Sequence, residues 1–368
     1  MQMPTIGEII NFLETTAPLA LQESYDNAGL VCGDKHQPCT GAIASLDFTK
    51  EVLEEAIQKE FNLIIVHHPP IFKGLKKLDT TDPITSQLIK AIQHNIAVYA
   101  IHTNLDNVIG GVNGEMAKRI GLINVQVLSP LQGTHQKLVT FVPTDHEEKL
   151  SNALYAAGAG SIGNYKECSF KTEGIGTFLP LEGSNPFLGK VGERENAKET
   201  RLEMIFPVHL QGHIIAALHT HHPYETVAYD ILPLNNTFRE WGAGAVGELP
   251  HEMSPNEFLQ HLKKTFETGI IRHNLCQVKK IKKVSICGGA GKSLINNALM
   301  TNSDAYVTSD LGYHDFFQPA GKMLLADIGH FESEQFTSDL LAAILKEKFP
   351  TFAVLKSAHK TNPVNYFL

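Results

Sequence analysis

AIASLDFTKEVLEEAIQKEFNLIIVHHPPIF, residues 42–72, reads as strand, helix and strand. The spacing predicts a strand over 41–46, a helix over 50–60 and a second strand over 63–66. Strand, helix and strand in that order imply parallel pairing through a right-handed crossover. The second strand, LIIV, is apolar at every position, as a central strand covered on both faces should be. A further repeat follows, with a helix over 83–94 and then the strand AVYAIHT. In open parallel sheets ligands gather beyond the carboxyl ends of the strands. One such end carries His67 and His68, and its neighbour carries His102, Thr103, Asn104 and Asp106, so two strand ends aim imidazoles and a carboxylate at one crevice.

Upstream, PTIGEIINFLETT places Ile6, Ile9, Ile10 and Leu13 at helical spacing, which predicts an amphipathic opening helix. From about 126 to 248 the texture changes to a βαββαβ order, the split βαβ signature of a ferredoxin-like fold. After that the first texture returns, with a strand over 282–287, the strand AYVTSD, then KMLLADIGH and a helix over 333–348. These strands end in Gly288-Gly289, Ser309-Asp310 and Asp327-Ile328-Gly329-His330. The expected fold is therefore a two-lobed α/β core with mainly parallel sheets, built from residues 1–125 and 249–368 and interrupted by an α+β domain at 126–248.

The 368 residues exceed the usual size of one domain, and 43% hydrophobic with 19% charged residues fits a globular protein. A net charge of -8 argues against nucleic acid as a partner, because phosphate binding needs a basic face. The first residues lack a basic n-region and carry Glu8 and Glu14 inside the apolar pattern, and no run of eighteen apolar residues occurs. Neither a signal peptide nor a membrane span is expected, and the expected location is the cytoplasm. The cysteines, Cys32, Cys39, Cys168, Cys276 and Cys287, form no CxxC pair and are expected to be reduced thiols. The 18 histidines, by contrast, fall in short clusters.

In VHHPP, residues 66–70, adjacent histidines on an extended backbone point to opposite sides, so two ions could each take one; packing of both rings at a loop is the alternative. In GHFESE, residues 329–334, a helix starting near Phe331 puts His330 and Glu334 at i and i+4 on one face. Asp106 would supply a bridging carboxylate, since two oxygens offset the charge of paired cations. Imidazole and carboxylate without thiolate favour zinc, iron or manganese. His102, Asp310 and His314 are candidates to support the ligands, and His102 or His314 could instead act as general acid or base.

Two other motifs need separate readings. CGGAGKS, residues 287–293, approaches a phosphate-binding loop but has Ile286 where the pattern needs glycine, so an NTPase loop is rejected and a tight turn favoured over a phosphate site. In HTHHPYE, residues 219–225, His219 and His221 would share one side of an extended strand, where a strand end closing a domain interface is favoured over weak metal binding.

Together VHHPPIF, HTNLDN, SDLGYHD and GHFESE resemble the NGG1-interacting-factor-3-like family, the GTP cyclohydrolase 1 type 2 homologues. HHPYETVAYDIL resembles the signature of the PII/CutA-like domain that longer bacterial members carry between the two halves. The resemblance implies a dinuclear metal centre on His67, His68, Asp106, His330 and Glu334. It also implies a homohexamer, a trimer of dimers, with the metal sites facing an internal cavity. Two functions remain open: a metal-dependent hydrolase acting on a nucleotide or phosphoester, and a non-catalytic metal carrier or ligand-sensing regulator.

Overall fold

The computed structural model describes residues 3–367. In chain order the first half runs α1 (Ile6–Thr16), β1 (Gly29–Cys32), β2 (Ala42–Ser45), α2 (Lys50–Gln58), β3 (Leu63–Val66), α3 (Pro83–Gln93), β4 (Ala97–Ala100), α4 (Thr103–Asp106), α5 (Val112–Ile120) and β5 (Ile123–Pro130). An inserted unit carries β6 (His135–Pro143), α6 (Glu147–Ala156), β7 (Phe170–Phe178), β8 (Glu195–Pro207), α7 (Gln211–His221) and β9 (Tyr229–Pro233). The chain then returns through β10 (Gly242–Met253), α8 (Pro255–Thr265), β11 (Arg272–His273), β12 (Ile281–Ile286), α9 (Ile295–Met300), β13 (Ala305–Thr308), β14 (Leu324–Asp327), α10 (His330–Glu334), α11 (Thr337–Lys348) and β15 (Val354–Lys356). Among the described residues no helix is long and apolar enough to cross a membrane.

The chain divides into two compact units, one made of residues 1–131 with 239–368 and the other of 132–238. The insertion is thus narrower than the 126–248 read from the sequence. The reason is pairing: β5 and β10 run antiparallel to each other, and β10 also pairs β12, so both stay in the first unit.

The first unit holds two sheets. One has the order β1-β4-β3-β2-β15 and is parallel from β4 through β15, with only β1 antiparallel. Every residue of β2, β3 and β4 is buried, which for β3 is what its unbroken apolar run predicted. Their faces are covered by α1, which buries Ile6, Ile9 and Leu13, by α11, and by α2 with α3 on the other side. Thr5 starts α1 through a capping box with Glu8, and Asp82 caps α3 with Pro83 in its first turn. The other sheet has the order β11-β14-β13-β12-β10-β5; its centre, β12 to β14, is parallel and its outer strands are antiparallel.

Strands from both sides of the insertion contribute to each sheet, since β15 joins β2 and β5 joins β10. The helix expected over 333–348 is broken into α10 and α11, with Gln335 and Phe336 between them. The break lets Phe336 pack on the core of the second sheet while Leu341, Ala342 and Leu345 pack on the first. A single straight helix could not face both.

Taken by itself, the second unit is a four-stranded antiparallel sheet in the order β7-β8-β6-β9, with α6 and α7 packed on one core that includes Leu138, Leu154, Phe206 and Leu218. The βαββαβ sequence and this strand order make it ferredoxin-like. His219 and His221 belong to α7 and not to a strand, which corrects the extended reading of HTHHPYE.

Candidate metal centre

The site lies in the first unit, where the ends of β3 and β4 meet α10. His67 and His68 follow β3 directly, and their amides both donate to the Leu46 carbonyl. The chain bends at these two residues, so their rings, expected on opposite sides, face one crevice with centroids 5.1 Å apart. His102 caps α4, and Asp106 is the last residue of that one-turn helix. His330 and Glu334 open and close α10, one turn apart as the spacing predicted.

Each of four imidazoles has its outer nitrogen held. His67 Nδ1–H donates to the Ile101 carbonyl at 2.8 Å, His68 Nδ1–H to Asp47 at 2.7 Å, His102 Nδ1–H to Asp26 at 2.8 Å and His330 Nδ1–H to Asp310 at 2.6 Å. Such partners fix the tautomer and aim Nε2 inward. The inner atoms then crowd together: His68 Nε2 lies 3.0 Å from Glu334 Oε2, His330 Nε2 lies 3.1 Å from the same oxygen, and the two Nε2 atoms are 3.3 Å apart. His67 Nε2 stands 3.6 Å from Asp106 Oδ1 and 3.8 Å from Glu334 Oε1. The two oxygens of Glu334 therefore face one histidine of the adjacent pair each.

Burial lowers the pKa of His67, although Glu334 pulls the other way. For His68 burial is outweighed by hydrogen bonds to Asp47 and Glu334, which raise it to about 9. Asp310 and Glu334 outweigh burial at His330 and raise it to about 11. Glu334 is driven well below its ordinary value because the three imidazoles overcome its burial. Asp106 moves far upward, first through burial and then through the charge of Glu334. Positive charge is thus favoured beside Glu334.

A metal ion fits the arrangement on three counts. The ligand atoms of His67, His68 and His102 lie within 4.8 Å of one another, as do those of His68, His330 and Glu334. Ligands at about 2.1 Å in tetrahedral geometry stand about 3.4 Å apart, close to the separations found here. His67 Nε2 and Asp106 Oδ1 are buried without a hydrogen-bond partner, a costly state that a cation between them relieves. Cys287 belongs to neither group of ligand atoms, and its Sγ–H donates to the Gly288 carbonyl.

Of the residues picked out by the sequence, His67, His68, Asp106, His330 and Glu334 converge, with His102 beside them. His314 does not join them. The loop after β13 turns Asp310 toward His330, and beyond Gly312 the chain moves outward, so His314 is exposed with its ring against Tyr313 and Phe317. Asp26 and Asp47 were not anticipated. Asp47 stands just past the end of β2, next to β3, and the strand-end rule that found His67 applies to it equally. Asp26 lies in a loop with no comparable signal.

The CGGAGKS turn serves the ligands rather than a phosphate. The amides of Gly288, Gly289 and Gly291 are taken by Asn113, Ser333 and Thr308 side chains. Gly289 has φ +62°, and a Cβ there would lie 2.3 Å from Glu334 Oε1. In the second unit His222 is buried and structural: its Nε2–H donates to the Phe141 carbonyl and its Nδ1 accepts from the Tyr224 amide.

A sequence model of the family described as Duf34/NIF3 (NGG1p interacting factor 3) matches residues 4–363. The chain is 39% identical over 365 residues to a Bacillus subtilis (strain 168) protein named GTP cyclohydrolase 1 type 2 homolog, covering 98% of each. It is 36% identical over 367 residues to a protein of the same name from Halalkalibacterium halodurans, covering 97% of this chain and 98% of that one. Among solved structures, a Bacillus cereus protein related to NIF3 superposes with a TM-score of 0.85 at 37% identity over 100% of both chains. A match of this length, at this identity and over the whole fold, leaves one assignment: the chain belongs to the DUF34/NIF3 family.

Proposed function

We propose that this protein is a metal-dependent hydrolase that holds two divalent ions, zinc or iron with manganese also suited, on His67, His68, Asp106, His330 and Glu334. The observation that carries the reading is the pair of buried, unpartnered donors, His67 Nε2 and Asp106 Oδ1, inside a ring of imidazoles already oriented from behind. When bound, such ions supply Lewis acidity and lower the pKa of water toward neutrality. Five protein donors for two ions leave coordination positions free, as catalysis requires and a closed structural site does not.

His102, fixed by Asp26, presents Nε2 to the same space and is the residue placed to accept or return a proton. A cleft of about 360 Å³ adjoins His68 and His330 and is also lined by Asp310, Arg272 and Tyr366. That volume suits a small molecule. The Arg272 guanidinium, held by Asp327 and the Leu311 carbonyl, lines this cleft together with Asp47, Asp310 and Glu332, so an anionic substrate such as a nucleotide would rely on the bound ions to offset those carboxylates. The curated relatives named GTP cyclohydrolase 1 type 2 homolog point to the same substrate class. We include in the proposal a cytoplasmic homohexamer, for which light scattering should give six copies per particle.

The test is metal analysis of protein purified without chelators, followed by a screen of nucleotides and phosphoesters with wild type and Asp106→Ala. Hydrolysis should track metal content and vanish in the variant. If no substrate responds to metal replacement, the hydrolase reading falls. A second reading, a ligand-sensing regulator, is favoured by a cavity in the inserted unit.

A further inference from the structure

The inserted unit contains a cavity of about 500 Å³ that no part of the metal chemistry uses. Its walls are aromatic: Phe141, Phe178, Phe187 and Tyr224 all line it, with the ring centroids of Phe178 and Phe187 at 5.9 and 6.2 Å from Tyr224. Its charged elements are two carboxylates, Glu199 and Glu225, and the Asn185 amide already donates to the second. Glu199 is 8% exposed, lines the cavity and accepts the Tyr224 hydroxyl at 2.8 Å through Oε1. Among the described residues no basic side chain forms an ion pair with it. Glu195 and Asp145 add negative charge near Tyr224, while the nearby basic groups stay on the outside of the walls: His146 meets the Phe187 ring at 5.1 Å, and Arg201, 5.9 Å from the Phe141 ring, is paired with Glu203. Across the sheet stands Gly176, where a Cβ would fall 1.9 Å from Glu199 Oε2, so the strand β7 makes room for the carboxylate by having no side chain there.

We infer that this cavity is a binding site for a small organic cation, an ammonium group carried on an apolar body. A carboxylate placed in an apolar enclosure without a basic partner is unfavourable unless a cation completes it. Aromatic faces around such a point attract a cation through their quadrupoles, and the rest of the volume accepts the apolar remainder. An anion meets the carboxylates of Glu199 and Glu225 there. A neutral ligand of equal shape gains the apolar contact and forgoes the charge. The volume lies within the range of small-molecule sites.

The experiment is calorimetric titration of the full chain with three probes of one shape class: benzyltrimethylammonium, benzyl alcohol and phenylacetate. The cation should bind, benzyl alcohol should bind at least about tenfold more weakly, and phenylacetate should give no heat. Glu199→Gln should weaken the cation about tenfold or more and erase its advantage over the alcohol. Phe187→Ala, at a 48% exposed position outside the core, should weaken it severalfold and guards against a variant that fails through folding. Asp106→Ala, in the other unit, should leave the titration unchanged, so the hydrolase reading can fail while this one stands. The inference is overturned if the alcohol or phenylacetate binds as well as the cation, if Glu199→Gln binds the cation as wild type does, or if no probe binds because copies of the chain fill the cavity, seen as a concentration-dependent particle size that Phe187→Asp reduces.

Discussion

Asp47 and Asp310 never reach the centre of the candidate metal site, yet each holds the imidazole that does. Asparagine at either position keeps the shape and removes the charge that orients Nδ1–H. For Asp47→Asn and Asp310→Asn we expect metal affinity to fall by about 10- to 100-fold, measured by competition with a chelating indicator. His314→Ala should leave affinity unchanged, since that ring packs on Tyr313 and Phe317. Equal affinity in all three variants would show that the outer carboxylates do not tune the ligands. At this scale the sequence was informative wherever residue type and strand-end position coincided, as at His67, His68 and Asp106. It was silent on Asp26, because a carboxylate in a loop has no period that marks its direction.

The same balance holds for elements. The unbroken apolar run of β3 announced a buried parallel strand, and β3 is buried at every residue, as are its neighbours β2 and β4. In HTHHPYE the alternation of histidine imitated a strand, but Ile214 and Leu218, four residues apart, put α7 on the core of its unit, and helical packing won. The turn after β12 gives a test. Gly289→Ala adds a Cβ that meets Glu334 Oε1 at 2.3 Å on a backbone with φ +62°. The backbone strain should lower stability by on the order of 1–2 kcal/mol in thermal or denaturant unfolding. Because Glu334 must move, metal content per chain should fall to a small fraction of wild type while far-ultraviolet circular dichroism is kept. Full metal occupancy in the variant would mean that Glu334 is not a required ligand.

At the scale of the molecule, the inserted unit should lose stability in acid. In the inserted unit, burial lowers His135 to about 4 and also lowers His209 and His222. A histidine whose folded pKa lies below its unfolded value near 6.5 takes its proton more readily when unfolded. Its contribution is complete above about pH 6.5 and is lost as pH falls from there toward about 4, with His135 alone accounting for on the order of 1–3 kcal/mol. Hydrogen exchange at pH 7.5 and pH 5 should therefore show protection in residues 132–238 falling at the lower pH. Unchanged protection there would show that these histidines are not held neutral by burial.

The sequence by itself determined the class of the fold, the presence of an insertion and the residue types of the site, because apolar period and strand order are local properties that each segment carries alone. Only the tertiary structure decided that β5 and β10 stay with the core, that the helix after Gly329 breaks to serve two sheets, and that Asp47 and Asp26 stand behind His68 and His102. Those outcomes depend on contacts between residues as far apart as His68 and Glu334, which are 266 positions apart in the chain. Packing and charge settle such contacts jointly, and no single stretch of sequence contains both partners.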